Sequence, residues 1–123
     1  MSAVPRVMLV ASDLFFVARI GETCRAAGVA LVEMDAAGAL ELCRSTIPDL
    51  VILDLHGPGD PIALARAIKA DPASRAVPIV AFYSHVDRDL GERARAAGID
   101  HALPRSAFTA KLPSLLSELR AGG

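Results

Sequence analysis

The residues best suited to chemistry lie in a few short polar segments. Asp54 ends a strongly apolar run, and His56 follows it two residues later. His85 lies in a later polar segment, so one interpretation is a His/Asp site for a transition metal, and the simpler one is solvated loop histidines. Residues 57–59 resemble a phosphate loop but lack its lysine and its length, so they are predicted to form a turn.

Enzyme chemistry finds little support elsewhere in the chain. No segment combines a nucleophile with a base, no glycine pattern for a dinucleotide is present, and no cysteine is paired with a histidine. Cys24 and Cys43 are far apart and lack metal-ligand spacing, so we expect two buried thiols in a reducing cytoplasm. The sequence therefore indicates a protein that is not an enzyme.

The elements that must position these residues alternate in type. Short apolar runs predict strands, and apolar residues at helical spacing predict helices between them. Gly28 and Gly98 end two of these helices, and Asp35 and Asp60 begin two others. The strands are predicted at residues 6–11, 29–34, 49–54, 77–82 and 102–103.

This alternation predicts an α/β fold. The continuous apolar run before Asp54 is typical of a central parallel strand that is covered on both faces. Five strands alternating with five helices form a parallel sheet with helices on both sides, and ligands bind at the carboxyl ends of its strands. Four loops meet at that edge, namely residues 11–13, 54–60, 83–87 and 104–106.

The last helix carries four leucines at helical spacing. Pro113 lies among them, and proline is best tolerated in the first turn of a helix. We therefore predict that this helix begins near residues 109–111.

Length and composition indicate one globular domain over residues 1–123. Hydrophobic residues make up 53% of the chain and charged residues 22%. The net charge is −1 and the arginines are spread along the chain, so no nucleic-acid partner is expected. No apolar run is long enough to cross a membrane and no signal-peptide pattern is present, which favours a cytoplasmic location.

Several segments together resemble the receiver domains of bacterial response regulators. The resemblance rests on residues 48–54 followed by Pro58 and Gly59, on residues 77–80, and on residues 96–100, and it extends over essentially the whole sequence. It implies a flavodoxin-like receiver fold, a doubly wound (βα)5 parallel sheet with strand order 2-1-3-4-5.

The resemblance also implies a site. Family members are phosphorylated on an aspartate at the position of Asp54. They hold Mg²⁺ with two acidic residues after strand one. A hydroxyl after strand four and a lysine after strand five contact the phosphoryl group. This sequence departs from that pattern at most positions. Ala11 and Ser12 stand at the positions of the acidic pair, and Asp13 follows one residue late. Tyr83 stands at the position of the hydroxyl, with Ser84 next to it, and Arg105 at that of the lysine.

Two interpretations follow from these departures. In the first, the chain is a pseudo-receiver without conventional Mg-dependent phosphorylation and without a cofactor, and Asp54 pairs with Arg105 while Asp13 caps helix one. In the second, it is a working phosphoacceptor of a two-component system, phosphorylated at Asp54 with Mg²⁺ in an atypical site. Either Phe15 or Phe16 covers the empty metal pocket, or helix-one core packing accounts for at least one of them.

In the family, partners usually bind the face formed by helix four, strand five and helix five. Here that face would carry Arg88, Glu92 and Arg95 as a charged rim, with Ala102 on the strand. A leucine at the edge of the helix-five stripe would supply an exposed apolar centre. The expected partner is a signalling protein or a second copy of the chain.

Overall fold

A computed structural model describes residues 4–122, with side chains described for residues 4–120. The strands are β1 (Arg6–Val10), β2 (Ala30–Glu33), β3 (Leu50–Asp54), β4 (Ile79–Tyr83) and β5 (His101–Pro104). The helices are α1 (Leu14–Ala27), α2 (Ala36–Ser45), α3 (Pro61–Ala70), α4 (Arg88–Ala96) and α5 (Arg105–Gly122). The predicted alternation of strands and helices is confirmed.

The five strands form one parallel sheet in the order β2-β1-β3-β4-β5, which confirms the predicted doubly wound topology. Every residue of β3 is buried, as the apolar run before Asp54 indicated, and every residue of β4 is buried as well. The register pairs Asp54 with Phe82 and Tyr83 with Pro104. The carboxyl ends of these central strands therefore lie at one edge, where the candidate residues converge.

Each face of the sheet has its own apolar layer. On one face, α2, α3 and α4 pack over side chains such as Met8, Val51 and Leu53. On the other face, α1 and α5 pack over Leu9, Ile52 and others. Because strand side chains alternate in direction, neighbouring residues of β3 contribute to opposite layers.

Four of the five helices begin after an aspartate. The side chains of Asp13, Asp35, Asp60 and Asp87 each accept at least one backbone N–H of the first turn. Such a cap contributes about 1 kcal/mol to stability. The aspartates of the loops before these helices therefore have a structural function, which reduces the number of carboxylates available for chemistry.

The amino edge of the sheet is held together by one lysine and one aspartate. The Lys69 ammonium donates to the Val77 carbonyl at 2.8 Å and to Asp100 Oδ2 at 3.0 Å. The same Asp100 oxygen accepts the Ile79 N–H at 2.7 Å. This network joins the end of α3 to the starts of β4 and β5, at the opposite edge from Asp54.

Helix α5 begins earlier than the sequence predicted. It starts at Arg105, directly after β5, and not near residues 109–111, so Pro113 lies inside the helix. An interior proline costs roughly 3 kcal/mol. Phe108 and Leu112 are almost fully buried on this first stretch of the helix. Their burial offsets that cost, because tertiary packing contributes most of a helix's stability.

Cys24 and Cys43 are both buried thiols without a disulfide, as expected from their positions in the sequence. Burial raises the pKa of each thiol, which keeps both protonated and unreactive. Within the described part of the chain, no helix has the length and apolar character needed to span a bilayer.

Candidate functional site at the carboxyl edge of the sheet

Asp54 lies at the carboxyl end of the central strand β3 and is 3% exposed. Its Oδ1 accepts a hydrogen bond from the His56 backbone N–H at 2.9 Å. The following turn is closed by the Gly57 N–H, which donates to the Asp54 carbonyl at 3.0 Å. A side chain at residue 57 would crowd this turn, because its Cβ would lie 3.1 Å from that carbonyl oxygen. The tight turn thus fixes the Asp54 carboxylate at the sheet edge.

The imidazole of His56 connects this turn to the loop after β4. Its Nε2 accepts the Ser84 backbone N–H at 2.9 Å. Accepting through Nε2 requires the neutral ring with its proton on Nδ1. The hydrogen bonds therefore run from Asp54 through His56 to Ser84 and join two loops of the site.

The turn after β1 contains the positions expected to be degenerate. Ala11 is half-buried and Ser12 is exposed. Asp13 is the N-cap of α1, as predicted, and its Oδ1 accepts the N–H groups of Phe15 and Phe16 at 3.1 and 3.2 Å. Its Oδ2 lies 3.9 Å from an Arg105 nitrogen. One oxygen of this carboxylate is therefore used as a helix cap, and the other faces the Arg105 guanidinium.

The predicted ion pair between Asp54 and Arg105 is wrong. Among the ion pairs of residues 4–120, the acidic neighbour of Arg105 is Asp13, and Asp54 takes part in none. The Arg105 guanidinium carbon lies 5.5 Å from the centre of the Phe16 ring and 5.8 Å from that of Phe82. Because a planar guanidinium stacks well on aromatic rings, this contact holds Arg105 on the α1 side of the edge.

Arg105 rests on Phe16 and Phe82, and a third phenylalanine, Phe108, packs against both rings. The ring centres of Phe16 and Phe82 are 4.6 Å apart, and those of Phe82 and Phe108 are 5.0 Å apart. Phe16 packs against the apolar layer of α1 and α5, whereas Phe15 is 88% exposed. Core packing thus accounts for Phe16. On the ring surface above it, the buried Nε of Arg105 has no hydrogen-bond partner within residues 4–120.

Tyr83 ends β4 with its ring directed at α4. A Cβ on Gly91 of that helix would lie 2.6 Å from both the Tyr83 hydroxyl oxygen and the ring carbon that carries it. The ring therefore packs directly on the helix backbone and fills the space between β4 and α4. The neighbouring Ser84 presents its backbone N–H to His56.

The donors at this edge form a poor set for Mg²⁺. Magnesium in proteins is held by several oxygens, usually including carboxylates. Asp54 offers Oδ2, Asp13 uses Oδ1 as a helix cap and has an arginine near Oδ2, and Ala11 and Ser12 bring no carboxylate. In the part of the chain that the structure describes, no three His, Cys, Asp or Glu side chains are grouped to hold a metal ion. These residues do not fit a carboxylate-held Mg²⁺ site.

No family model matches this sequence. A transcriptional regulatory protein, PdtaR of Mycobacterium tuberculosis, is 39% identical over 101 residues, which is 79% of this chain and 48% of PdtaR. The sensor histidine kinase AruS of Pseudomonas aeruginosa is 36% identical over 88 residues, 69% of this chain and 9% of AruS. The chain thus spans about half or less of the curated relatives it matches.

Solved structures agree with the fold. A putative response regulator from Chloroflexus aurantiacus has a TM-score of 0.86 at 20% identity, covering 97% of this chain and 99% of its own. The receiver domain of the sensor histidine kinase PA1611 from Pseudomonas aeruginosa, solved with magnesium in its active-site cleft, has a TM-score of 0.80 at 24% identity and covers 95% and 98%. The chain has the fold of a receiver domain.

The face around α4 in this receiver-like domain differs in part from its prediction. Arg88, Glu92 and Arg95 are exposed on α4, as expected. Ala102 is 4% exposed, so its side chain is not part of the accessible face. Its carbonyl instead accepts a hydrogen bond from Arg95 at 2.9 Å. Ala102 therefore contributes by holding an arginine of α4 against β5.

The expected apolar centre on α5 is largely absent from this face. Leu112, Leu115 and Leu116 are buried in the layer between α5, α1 and the sheet, and Leu119 packs against the same layer and is partly buried. A leucine at the edge of the stripe does remain partly exposed, but it belongs to the layer that packs on α1. The receiver-like domain thus presents mainly polar side chains along α4.

Two features of the site were not predicted from the sequence. The acceptor role of His56 left no local signal, because it depends on Ser84, 28 residues further along the chain. The packing of Tyr83 did leave one, since Gly91 interrupts a helix where glycine is unfavourable. A glycine inside a helix often marks the close approach of another group, and here that group is a tyrosine ring.

Proposed function

We propose that residues 1–123 form one cytoplasmic signalling domain that binds other proteins without Mg-dependent phosphorylation of Asp54. The family supplies the signalling context, and the interaction role and the loss of phosphorylation are our inference. We expect no catalytic activity and no cofactor.

The observation that supports this proposal most directly is the turn after β1. Phosphoryl transfer to a carboxylate brings two negative groups together, and a cation must offset their charge. Ala11 and Ser12 provide no carboxylate to hold a metal, and Asp13 is engaged as a helix cap. Arg105 rests on Phe16 and Phe82 beside Asp13 and forms no ion pair with Asp54.

A second function has one observation in its favour. Asp54 is retained at the end of β3, and its Oδ2 accepts no hydrogen bond from residues 4–120. A working phosphoacceptor of a two-component system, with Mg²⁺ in an atypical site, would use that oxygen as the nucleophile. One experiment, incubation with a phosphodonor and Mg²⁺, distinguishes the two functions.

The test is intact-mass analysis after incubation with acetyl phosphate and Mg²⁺. We expect no phosphorylated species, in the wild-type chain or in Asp54→Asn, and no change in sedimentation on adding the phosphodonor. The Asp54→Asn variant is the matched control because it keeps an acceptor oxygen for the His56 N–H. An adduct present in the wild type and missing in Asp54→Asn would establish the phosphoacceptor and refute our proposal.

A further inference from the structure

The two edge strands of the sheet differ in how their outer backbone groups are protected. At the β5 edge, Pro104 has no N–H to donate, and the Ala102 carbonyl accepts a hydrogen bond from Arg95 at 2.9 Å. At the β2 edge, the strand consists of three apolar residues and Glu33. Natural sheets block their edges with proline, lysine or bulges, so the β2 edge lacks the usual protection against pairing with another strand.

The hydrogen bonds of β2 show which of its backbone groups face outward. The Ala30 N–H donates to the Pro5 carbonyl on the β1 side at 2.9 Å. Because successive residues of a strand direct their backbone groups to opposite sides, Leu31 and Glu33 direct theirs away from β1. Within residues 4–120, β2 pairs with β1 alone, so these N–H and C=O groups have no backbone partner. They are available to a second strand.

The surface along β2 carries opposite charges at its two ends. A groove of about 500 Å³ lies between β2 and α1. Arg25 lines it near Val29, before the start of the strand, Glu33 lines it at the end of the strand, and Glu22 also borders it. Arg25 and Glu33 are exposed, and neither belongs to an ion pair of residues 4–120. A second copy in antiparallel orientation brings each Arg25 to the Glu33 end of the other, so the two surfaces are complementary in charge.

We propose that the chain forms a homodimer in which the two β2 strands pair antiparallel and join both sheets into one continuous sheet. Leu31 of each copy exchanges hydrogen bonds with Glu33 of the other, and Val32 lies on the two-fold axis opposite its own counterpart. This register follows from the outward groups, because residues that face the partner strand must pair with each other. The inference rests on the proposed interaction function and names one partner, a second copy, and the surface that it uses.

The helices on the α1 face fit this arrangement. Helix α1 packs over both β1 and β2, in the layer that contains Leu9 and Leu31. Two β2 strands between the α1 helices set their axes about 10 Å apart, since neighbouring strands are about 4.8 Å apart. Packed helices are separated by about 8–10 Å, so the second α1 would contact the first. Ala18 and Gly21 line the groove side of α1, and their small size permits that approach.

The register is tested by disulfide cross-linking. Across the axis the two Val32 Cα atoms are expected about 4.5 Å apart, a separation that a disulfide can bridge. Val32→Cys oxidised with glutathione disulfide should therefore give a covalent dimer on a non-reducing gel. The wild-type chain should give none, because Cys24 and Cys43 are buried.

Ala30→Cys is the matched control for the cross-link. Ala30 is exposed on the same strand and the same face as Val32, but it is expected roughly 14 Å from its counterpart in the dimer. It should not cross-link. If Val32→Cys cross-links no more strongly than Ala30→Cys, the proposed register and the dimer are both refuted.

The charge pairing is tested by sedimentation equilibrium. Arg25→Glu and Glu33→Arg should each weaken dimerisation about tenfold, because each places like charges together at both ends of the interface. The double variant exchanges the two charges and should recover an affinity within about threefold of the wild type. These substitutions are exposed, so every variant should keep the melting temperature of the wild type.

Arg19→Glu is the control for the charge changes, since Arg19 is exposed on α1 but does not line the groove. It should leave the affinity within about twofold. Equal weakening by Arg19→Glu, a double variant no tighter than the single ones, or a wild-type chain that stays monomeric at about 1 mM would overturn the proposal. A monomer whose Leu31 and Glu33 amides are protected from exchange only when another protein is added would assign the edge to that protein and also overturn it.

Failure of the dimer is distinguishable from failure of the proposed function. If the chain is monomeric and Val32→Cys does not cross-link while Asp54 stays unlabelled by acetyl phosphate, the dimer is refuted and the interaction function stands. If Asp54 is labelled while Val32→Cys cross-links as described, the dimer stands and phosphorylation-independent function is refuted.

Discussion

The His56 imidazole accepts the backbone N–H of Ser84 at 2.9 Å, and the His56 N–H in turn donates to Asp54. The ring thereby fixes the start of the loop that leads from β4 into α4. His85, the next residue of this loop, lines a surface pocket together with Arg88 and Arg95 of α4. Two hydrogen bonds thus connect the Asp54 turn to the loop that leads into α4.

Removing the His56 ring should loosen that loop. In His56→Ala, amide exchange at Ser84 should accelerate roughly fivefold, the factor that corresponds to a hydrogen bond worth about 1 kcal/mol. Hydrogen exchange followed by NMR measures this directly. His101→Ala is the control, because His101 lies at the other edge of the sheet, and it should leave Ser84 unchanged. Unaltered exchange in His56→Ala would show that the loop is held by other contacts.

Adding a methyl group at Gly91 should destabilise the domain. Its Cβ would meet the Tyr83 ring at 2.6 Å, so Gly91→Ala should cost about 1–3 kcal/mol of unfolding free energy. Gly21→Ala, on α1, is the matched control, because its nearest neighbour is the Leu31 side chain at an ordinary 3.7 Å. That substitution should be neutral or stabilising by up to about 1 kcal/mol.

Urea denaturation measures both glycine variants. In a Tyr83→Ala background the cost of Gly91→Ala should disappear, because the clashing ring is gone. A cost that persists in that background would mean that Gly91 is required by α4 itself and not by Tyr83.

The amino edge should give the domain an acid-sensitive component of stability. Partial burial alone would raise the pKa of Asp100, but the Ile79 N–H and the Lys69 ammonium hold that pKa below its usual value of 3.8. A pKa that is lower in the folded state stabilises the fold above the unfolded value, and that stabilisation is lost as the pH falls through the folded value.

Asp100→Asn should therefore be less stable than the wild type near pH 7, by about 1 kcal/mol or less because the carboxylate is partly exposed. The difference should shrink as the pH falls from 7 toward 2, because the carboxylate of Asp100 is progressively protonated and loses the charge that asparagine lacks. Chemical denaturation at the two pH values measures it. Glu118→Gln, an exposed change on α5, should match the wild type at both, and a pH-independent deficit in Asp100→Asn would contradict this account.

Magnesium should not bind the wild-type chain with useful affinity. A titration to about 10 mM, a range suited to sites with few carboxylates, should give no saturable NMR shifts at Ser12 or Asp54. The double variant Ala11→Asp/Ser12→Asp is the positive control, because it adds two carboxylates beside Asp54, and it should show saturable shifts. Saturation in the wild type would instead show that the existing oxygens are sufficient.

Sequence patterns were sufficient for the architecture. The apolar run ending at Asp54 identified the central strand, and the glycine and aspartate signals located most helix ends, because these depend on local chemistry. The start of α5 was missed because Pro113 is a local signal, whereas the burial of Phe108 against the sheet is a tertiary effect. Tertiary packing commonly overrides local preference in this way.

The site was predicted only in part, for a related reason. The cap role of Asp13 follows from its position before an apolar helix, and it was predicted. The position of the Arg105 side chain was not predicted, because Phe16 and Phe82 are brought beside it by separate elements of the fold. Charge complementarity alone predicted an ion pair between Arg105 and Asp54. In the structure the Arg105 guanidinium lies over two aromatic rings instead.

The hydrogen-bonded network of Lys69 and Asp100 lies at the edge opposite Asp54. The hydrogen bonds that hold the amino edge together are therefore far from the loops at the Asp54 edge, where a change of binding partner would require substitutions. Mutations in the loops after β1, β3 and β4 leave that network intact, so they change stability only through the caps and turns of their own edge. The same separation makes the domain a suitable scaffold for laboratory selection of new binding specificities.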